Sequence, residues 1–146
     1  MEESNKKKLE NLPRKIKLKI QNNEYEVEFP NQGQLIDIET NKILYSQGQY
    51  MALIRQNNIS SNLTVDLIEI AATFPILIPE LKKDLKTDSI FELDIISCLE
   101  LTEVYNNDFL PWYNSWWTII KSIRTPKGTA KKEEKNSTED EPQVSQ

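Results

Sequence analysis

Two short runs alternate charged and apolar residues with a period of two: Lys15-Ile16-Lys17-Leu18-Lys19-Ile20 and Glu24-Tyr25-Glu26-Val27-Glu28-Phe29, joined by Gln21-Asn22-Asn23. Side chains alternate faces along a strand, so each run reads as a strand with one wet and one apolar face. Asn tolerates the positive φ of tight hairpin turns, which places the turn at Asn22-Asn23. Ile20 then falls opposite Tyr25, Leu18 opposite Val27 and Ile16 opposite Phe29, while Lys19 meets Glu26 and Lys17 meets Glu28. A slip of one residue would turn every apolar group into water. Cross-strand pairs contribute only ~0.2–1 kcal/mol each, and a lone two-stranded hairpin is marginal in water. The apolar face must therefore lie on a core built by the rest of the chain.

Helical periodicity supplies that core. Pro30 ends the hairpin, because proline cannot donate to a ladder. From Gln34, Leu35, Ile36, Ile38, Ile43 and Leu44 form an apolar stripe with Asp37, Glu39 and Lys42 outside it. Gly48 supplies a left-handed stop. A short helix begins at Tyr50-Met51-Ala52-Leu53-Ile54. A third, capped by Ser60 or Ser61, carries Leu63, Leu67, Ile70, Ala71 and Phe74 inward. Pro75 and Pro79 punctuate the run that follows, and Pro79 suits the first turn of a helix from Glu80 to Leu85. Asp94 caps a helix from Ile95 to about Tyr105, with Ile95, Ile96, Leu99 and Val104 inward. Asn106-Asn107-Asp108 loosens the chain, and Pro111 either starts a new helix or kinks a continuous one. The last element runs from Trp112 to Ile123. The fold class is thus α+β: an N-terminal hairpin packed on five or six helices over residues 14–124. A polar arm without periodicity (1–13) and a charged tail (125–146) flank it, and both compositions are those of disordered segments.

Composition narrows the chemistry. The 146 residues are one domain's worth, and the net charge of −5 disfavours a phosphate-driven nucleic-acid binder. Histidine is absent, which removes the commonest general base and metal ligand. Cys98 is the single cysteine, so no intrachain disulfide or multi-cysteine zinc site exists. Its neighbours Ile95, Ile96, Leu99 and Leu101 read as a buried, inert thiol. Gly33 and Gly48 are isolated, so no phosphate-cradling loop is written. Asp37/Glu39 and Asp66/Glu69 are the nearest approach to carboxylate pairs, and both read as solvated helix faces. No early apolar run marks a signal peptide, and none approaches a membrane span. The expectation is a non-enzymatic protein without cofactor or metal.

Leu110-Pro111-Trp112-Tyr113-Asn114-Ser115-Trp116-Trp117 is the most unusual composition. At helical spacing Trp112 and Trp116 share one face, and Tyr113 and Trp117 an adjacent one. One pair can be buried with the other partly exposed, or all four rings can pack inside. Exposed Trp and Tyr are enriched in binding hot spots. Trp112, Tyr113, Trp116, Trp117 and Ile120 are therefore the candidate partner-binding residues. The Lys/Glu face of the hairpin is mutually neutralised, whereas its outer strand edges are open to strand addition by a partner or another copy.

The order strand (Lys15–Ile20), turn (Gln21–Asn23), strand ending in Phe (Glu24–Phe29) and then helices in an acidic domain resembles the phage tail assembly chaperone group. Phe29-Pro30, Gly33-Gln34-Leu35-Ile36-Asp37-Ile38-Glu39 and Phe109-Leu110-Pro111-Trp112-Tyr113-Asn114 also resemble segments of uncharacterised virion-assembly proteins of Bacteroidetes-type phages. Abundant Ile, Lys and Asn with scarce Ala and Gly suit an AT-rich phage or bacterial genome. The resemblance implies a small phage protein in the host cytoplasm that chaperones the tape-measure or another tail protein. It equally accommodates a structural component of the virion, and a host-directed binding module is the reading from a different class. No functional residue is carried over from the family.

Overall fold

The computed structural model describes residues 2–125. The tail expected over 125–146 thus lies, apart from Thr125, outside the described residues. The described residues divide into two compact units, 14–112 and the combination of 2–13 with 113–125. The architecture is α+β: a two-stranded antiparallel hairpin followed by six helices, with a further helix ahead of it.

In the first unit, β1 (Lys15–Ile20) and β2 (Asn23–Glu28) pair as the alternation requires, but two residues out of the expected register. Leu18 faces Tyr25, Ile16 faces Val27, Lys17 faces Glu26 and Lys19 faces Glu24. The turn is Gln21-Asn22, and Gln21 takes the positive φ of 55°. A two-residue shift keeps every side chain on its face, so the alternating pattern cannot separate these registers. Leu18, Ile20, Tyr25 and Val27 are buried, whereas Ile16 and Phe29 are half-buried. On the wet face Lys15 reaches Glu26 at 3.3 Å and Lys17 reaches Glu24 at 3.6 Å. Those pairs are exposed and contribute little to stability.

Helix α2 (Gln32–Tyr45) starts at Asn31, whose side chain accepts from the Gln34 N–H while the Gln34 side chain accepts from the Asn31 N–H. Its expected stripe is not buried: Ile38 is, but Ile36, Ile43 and Leu44 are exposed. At 100° per residue Ile36 and Ile43 lie about 140–160° round the helix from Ile38, so one packing line against α4 cannot cover both sides. Gly48 takes a φ of 76°, as a left-handed stop requires, with Gln47 also at positive φ. Helix α3 (Tyr50–Gln56) follows, closed by Asn57 at φ 46°.

Helix α4 (Ile59–Leu77) is capped by Asn58 rather than by Ser60 or Ser61, and Ser61 returns the second bond of the capping box. It buries Ile68, Ile70, Ala71, Ala72, Thr73, Phe74 and Leu77. The helix passes through Pro75 and stops before Pro79. Pro75 sits in the last turns, where the lost N–H removes one bond without breaking a long stretch. Helices α2, α3, α5 (Leu81–Asp84) and α6 (Ile95–Val104) and the 3₁₀ turn Ile90–Glu92 all pack on α4. The chain folds around this helix.

Asp94 caps α6, its carboxylate accepting from the Ser97 N–H at 2.7 Å. The inward residues are Cys98, Leu101 and Thr102, not Ile95, Ile96 and Leu99, which are exposed. Val104 is half-buried. The stretch Tyr105–Phe109 is one π-helical turn rather than a loosened segment, and the Leu110 N–H donates to the Tyr105 carbonyl. The wider turn brings Tyr105 and Phe109 into a stack at 5.3 Å and sets Phe74 edge-on to both. Helix α7 (Leu110–Arg124) continues from it without a break, Pro111 lying one residue inside.

In the second unit, the segment expected as an irregular arm forms α1 (Glu3–Asn11). None of its residues is buried. The run Lys6-Lys7-Lys8-Leu9-Glu10 consists of good helix formers, so local propensity accounts for a helix that has no apolar periodicity.

Candidate partner-binding surface

Helix α7 separates its aromatic residues by position. Trp112 and Trp116, four residues apart, are each only 8% exposed. Trp112 packs edge-on to Phe29 at 6.0 Å and to Phe109 at 5.9 Å. The Trp116 Nε1–H donates to the Pro13 carbonyl at 3.1 Å, fixing the indole against the residue that follows Leu12. Tyr113 and Trp117 lie on the adjacent face, half-buried, in edge contact at 5.9 Å. Helical spacing anticipates the two faces but not which of them is buried.

Of the five candidate residues, Trp117 and Ile120 line an open hollow of about 450 Å³ with Lys121, Arg124 and Thr125. Its lining thus combines an aromatic and an aliphatic side chain with two cations. Lys and Arg also suit the C-terminal end of a helix, where they face the negative end of the dipole. Tyr113 stands beside Trp117, whereas Trp112 and Trp116 are interior residues that offer little surface. The accessible part of the candidate set is the Trp117–Ile120 side of the helix.

The carboxylate pairs end in different surroundings. Asp37 and Glu39 are exposed, and Glu39 pairs with Lys42 at 3.2 Å. Glu69 is not on a solvated face: it is half-buried and accepts from the phenols of both Tyr50 and Tyr105, the latter at 3.4 Å. Burial, reinforced by the hydrogen bond to Glu69, holds the Tyr50 phenol well above its ordinary pKa. Asp66 accepts from the Asn106 side chain at 3.3 Å. These bonds tie α3, α4 and the π turn together, and occupy the carboxylates that the sequence pairs. Cys98 is buried, and burial followed by the charge of Asp94 pushes its thiol up.

The exposed apolar residues Ile95, Ile96 and Leu99 escape sequence reasoning, because helical periodicity identifies an apolar set without saying which part is covered. Among the described residues there is no group of three or more metal-binding side chains. No described helix is long and apolar enough to cross a membrane. No family model, curated protein or solved structure matches the chain.

Proposed function

We propose that this chain is a non-enzymatic phage protein of virion assembly, a tail assembly chaperone that binds a tape-measure or other tail protein through α7. The observation that carries the binding role is the half-buried Trp117, which with Ile120 and two cations lines an open hollow. An aromatic side chain at the edge of a hollow is the kind of residue that dominates protein interfaces. The phage context rests on the segments that resemble tail assembly chaperones. Binding takes place in the host cytoplasm, before the particle is complete.

Co-purification from infected cells, with identification of the bound proteins, tests this reading. The expected catch is a tail protein, held by the native chain and weakened at least about tenfold by Trp117→Ala, or about 1.4 kcal/mol. Trp117 is half-buried, so the variant should keep its melting temperature within a few degrees. Undiminished capture by the variant would remove α7 from the interface. Abundant chain in purified particles would make it a virion component, and a host enzyme as sole partner would make it a host-directed module.

A further inference from the structure

We infer that the solvent face of α6 is a second docking surface, one that fits a basic amphipathic helix of a partner protein. Ile95, Ile96 and Leu99 are 57%, 67% and 51% exposed. At 3.6 residues per turn they occupy two neighbouring rows, Ile95–Leu99–Glu103 and Ile96–Glu100. The first turns of the face are therefore aliphatic and the last is acidic. Just ahead, Phe91 is 47% exposed and rests edge-on against Tyr45 at 5.5 Å. Single exposed aliphatics are ordinary, but three at positions i, i+1 and i+4 make a continuous strip.

Charge decides what such a strip can receive. Between Lys86 and Lys121 the chain carries Asp88, Glu92, Asp94, Glu100, Glu103 and Asp108 and no basic residue. The ion pairs among the described residues lie on the hairpin and α2, so Glu92, Asp94, Glu100 and Glu103 have no cation within 4.0 Å there. Beside the acidic turn, Gln21, Asn22, Ser97, Glu100, Glu103 and Val104 surround an open hollow of about 550 Å³. This hollow has room for a long side chain, and its two carboxylates select a cationic one. A second copy docking through the same face by a two-fold axis would bring further carboxylates and no cation, leaving Glu100 and Glu103 unpaired against apolar surface. Nucleic acid and anionic lipid are repelled for the same reason. A helix with an apolar stripe flanked by Lys or Arg satisfies both the strip and its charge.

The test uses the full chain and two synthetic peptides of about 18 residues, five helical turns. Both carry Leu on one face; one has Lys and the other Glu at the remaining positions. The expected result is binding of the Leu/Lys peptide at least about tenfold tighter than the Leu/Glu peptide, weakening with salt. Ile96→Ser with Leu99→Ser should cost at least about tenfold in affinity. Ile36→Ser with Ile43→Ser on α2, and Trp117→Ala on α7, should leave affinity unchanged. Glu100→Lys with Glu103→Lys keeps the aliphatic strip and should invert the preference between the peptides, a result that mere loss of folding cannot produce. Equal losses from the α2 pair, or no inversion, would overturn the proposal. So would a dimer in solution that Ile96→Ser with Leu99→Ser dissociates, since the face would then belong to a second copy. Loss of binding with Trp117→Ala alone would reassign the peptide to the α7 hollow.

Discussion

Helices α4 and α6 begin alike and end in opposite surroundings. Each opens on an Asx side chain that accepts from the backbone N–H three residues on, and each is rich in Ile and Leu. Yet α4 buries seven of its apolar and small residues between Ile68 and Leu77 with Thr73 among them, while α6 leaves Ile95, Ile96 and Leu99 in water. The cause is the number of neighbours. Five elements pack round α4, whereas α6 has α4, the π turn and β1. A helix surrounded by neighbours spends its apolar groups on folding, and one at the margin leaves some in water. Apolar content alone does not distinguish the two.

The sharpest way to break this contrast is to truncate one residue from each helix. Phe74 is fully buried at the centre of the aromatic cluster, so Phe74→Ala should lose about 3–5 kcal/mol in denaturant unfolding. Next in size is Glu69→Ala on α4, which strips two phenols of their acceptor and should cost about 1–3 kcal/mol in the same measurement. If it cost nothing, the Tyr50–Glu69–Tyr105 bonds would not be what holds α3 and the π turn to α4.

A smaller effect concerns the hairpin, whose β1 also packs on α6. The Tyr25 O–H donates to Asp84 Oδ2 at 2.7 Å, and burial followed by that carboxylate pushes the phenol from 10.0 up to about 12. The folded chain thus keeps a proton that the unfolded chain releases. Its stabilising contribution is complete below pH 10 and is lost as pH rises from 10 to about 12. Tyr25→Phe should cost about 1 kcal/mol at neutral pH and remove this alkaline loss, read from unfolding midpoints across that window. The smallest effect belongs to Leu99→Ala, within about 0.5 kcal/mol because the side chain is already in water. A loss comparable to that of Phe74→Ala would mean the α6 face is core, and the contrast would fail.

Local chemistry explains which features could be read directly from the chain. The strands, the Asp94 cap, the Gly48 stop and the pairing of Trp112 with Trp116 and Tyr113 with Trp117 depend on a period of two, a period of 3.6, or one side chain reaching its own backbone. The Tyr113–Trp117 edge contact belongs to the same class, because i and i+4 residues meet wherever a helix forms. The hairpin turn was less legible: Asn22-Asn23 is the better turn chemistry, yet the buried fit of Leu18 against Tyr25 uses Gln21-Asn22. The π turn left no local mark: Asn106-Asn107-Asp108 reads as a loosened segment, where the helix in fact widens by one residue and continues.

By itself, then, the sequence determined an α+β chain, the faces of its strands, most helix positions and the grouping of its indoles. All of these follow from interactions within a few residues. Only the tertiary structure decided which apolar side chains were covered: Ile38 but not Ile36 and Ile43, Leu101 but not Leu99, Trp116 but only part of Trp117. Burial depends on which distant element arrives on which side of a helix, and periodicity carries no information about that.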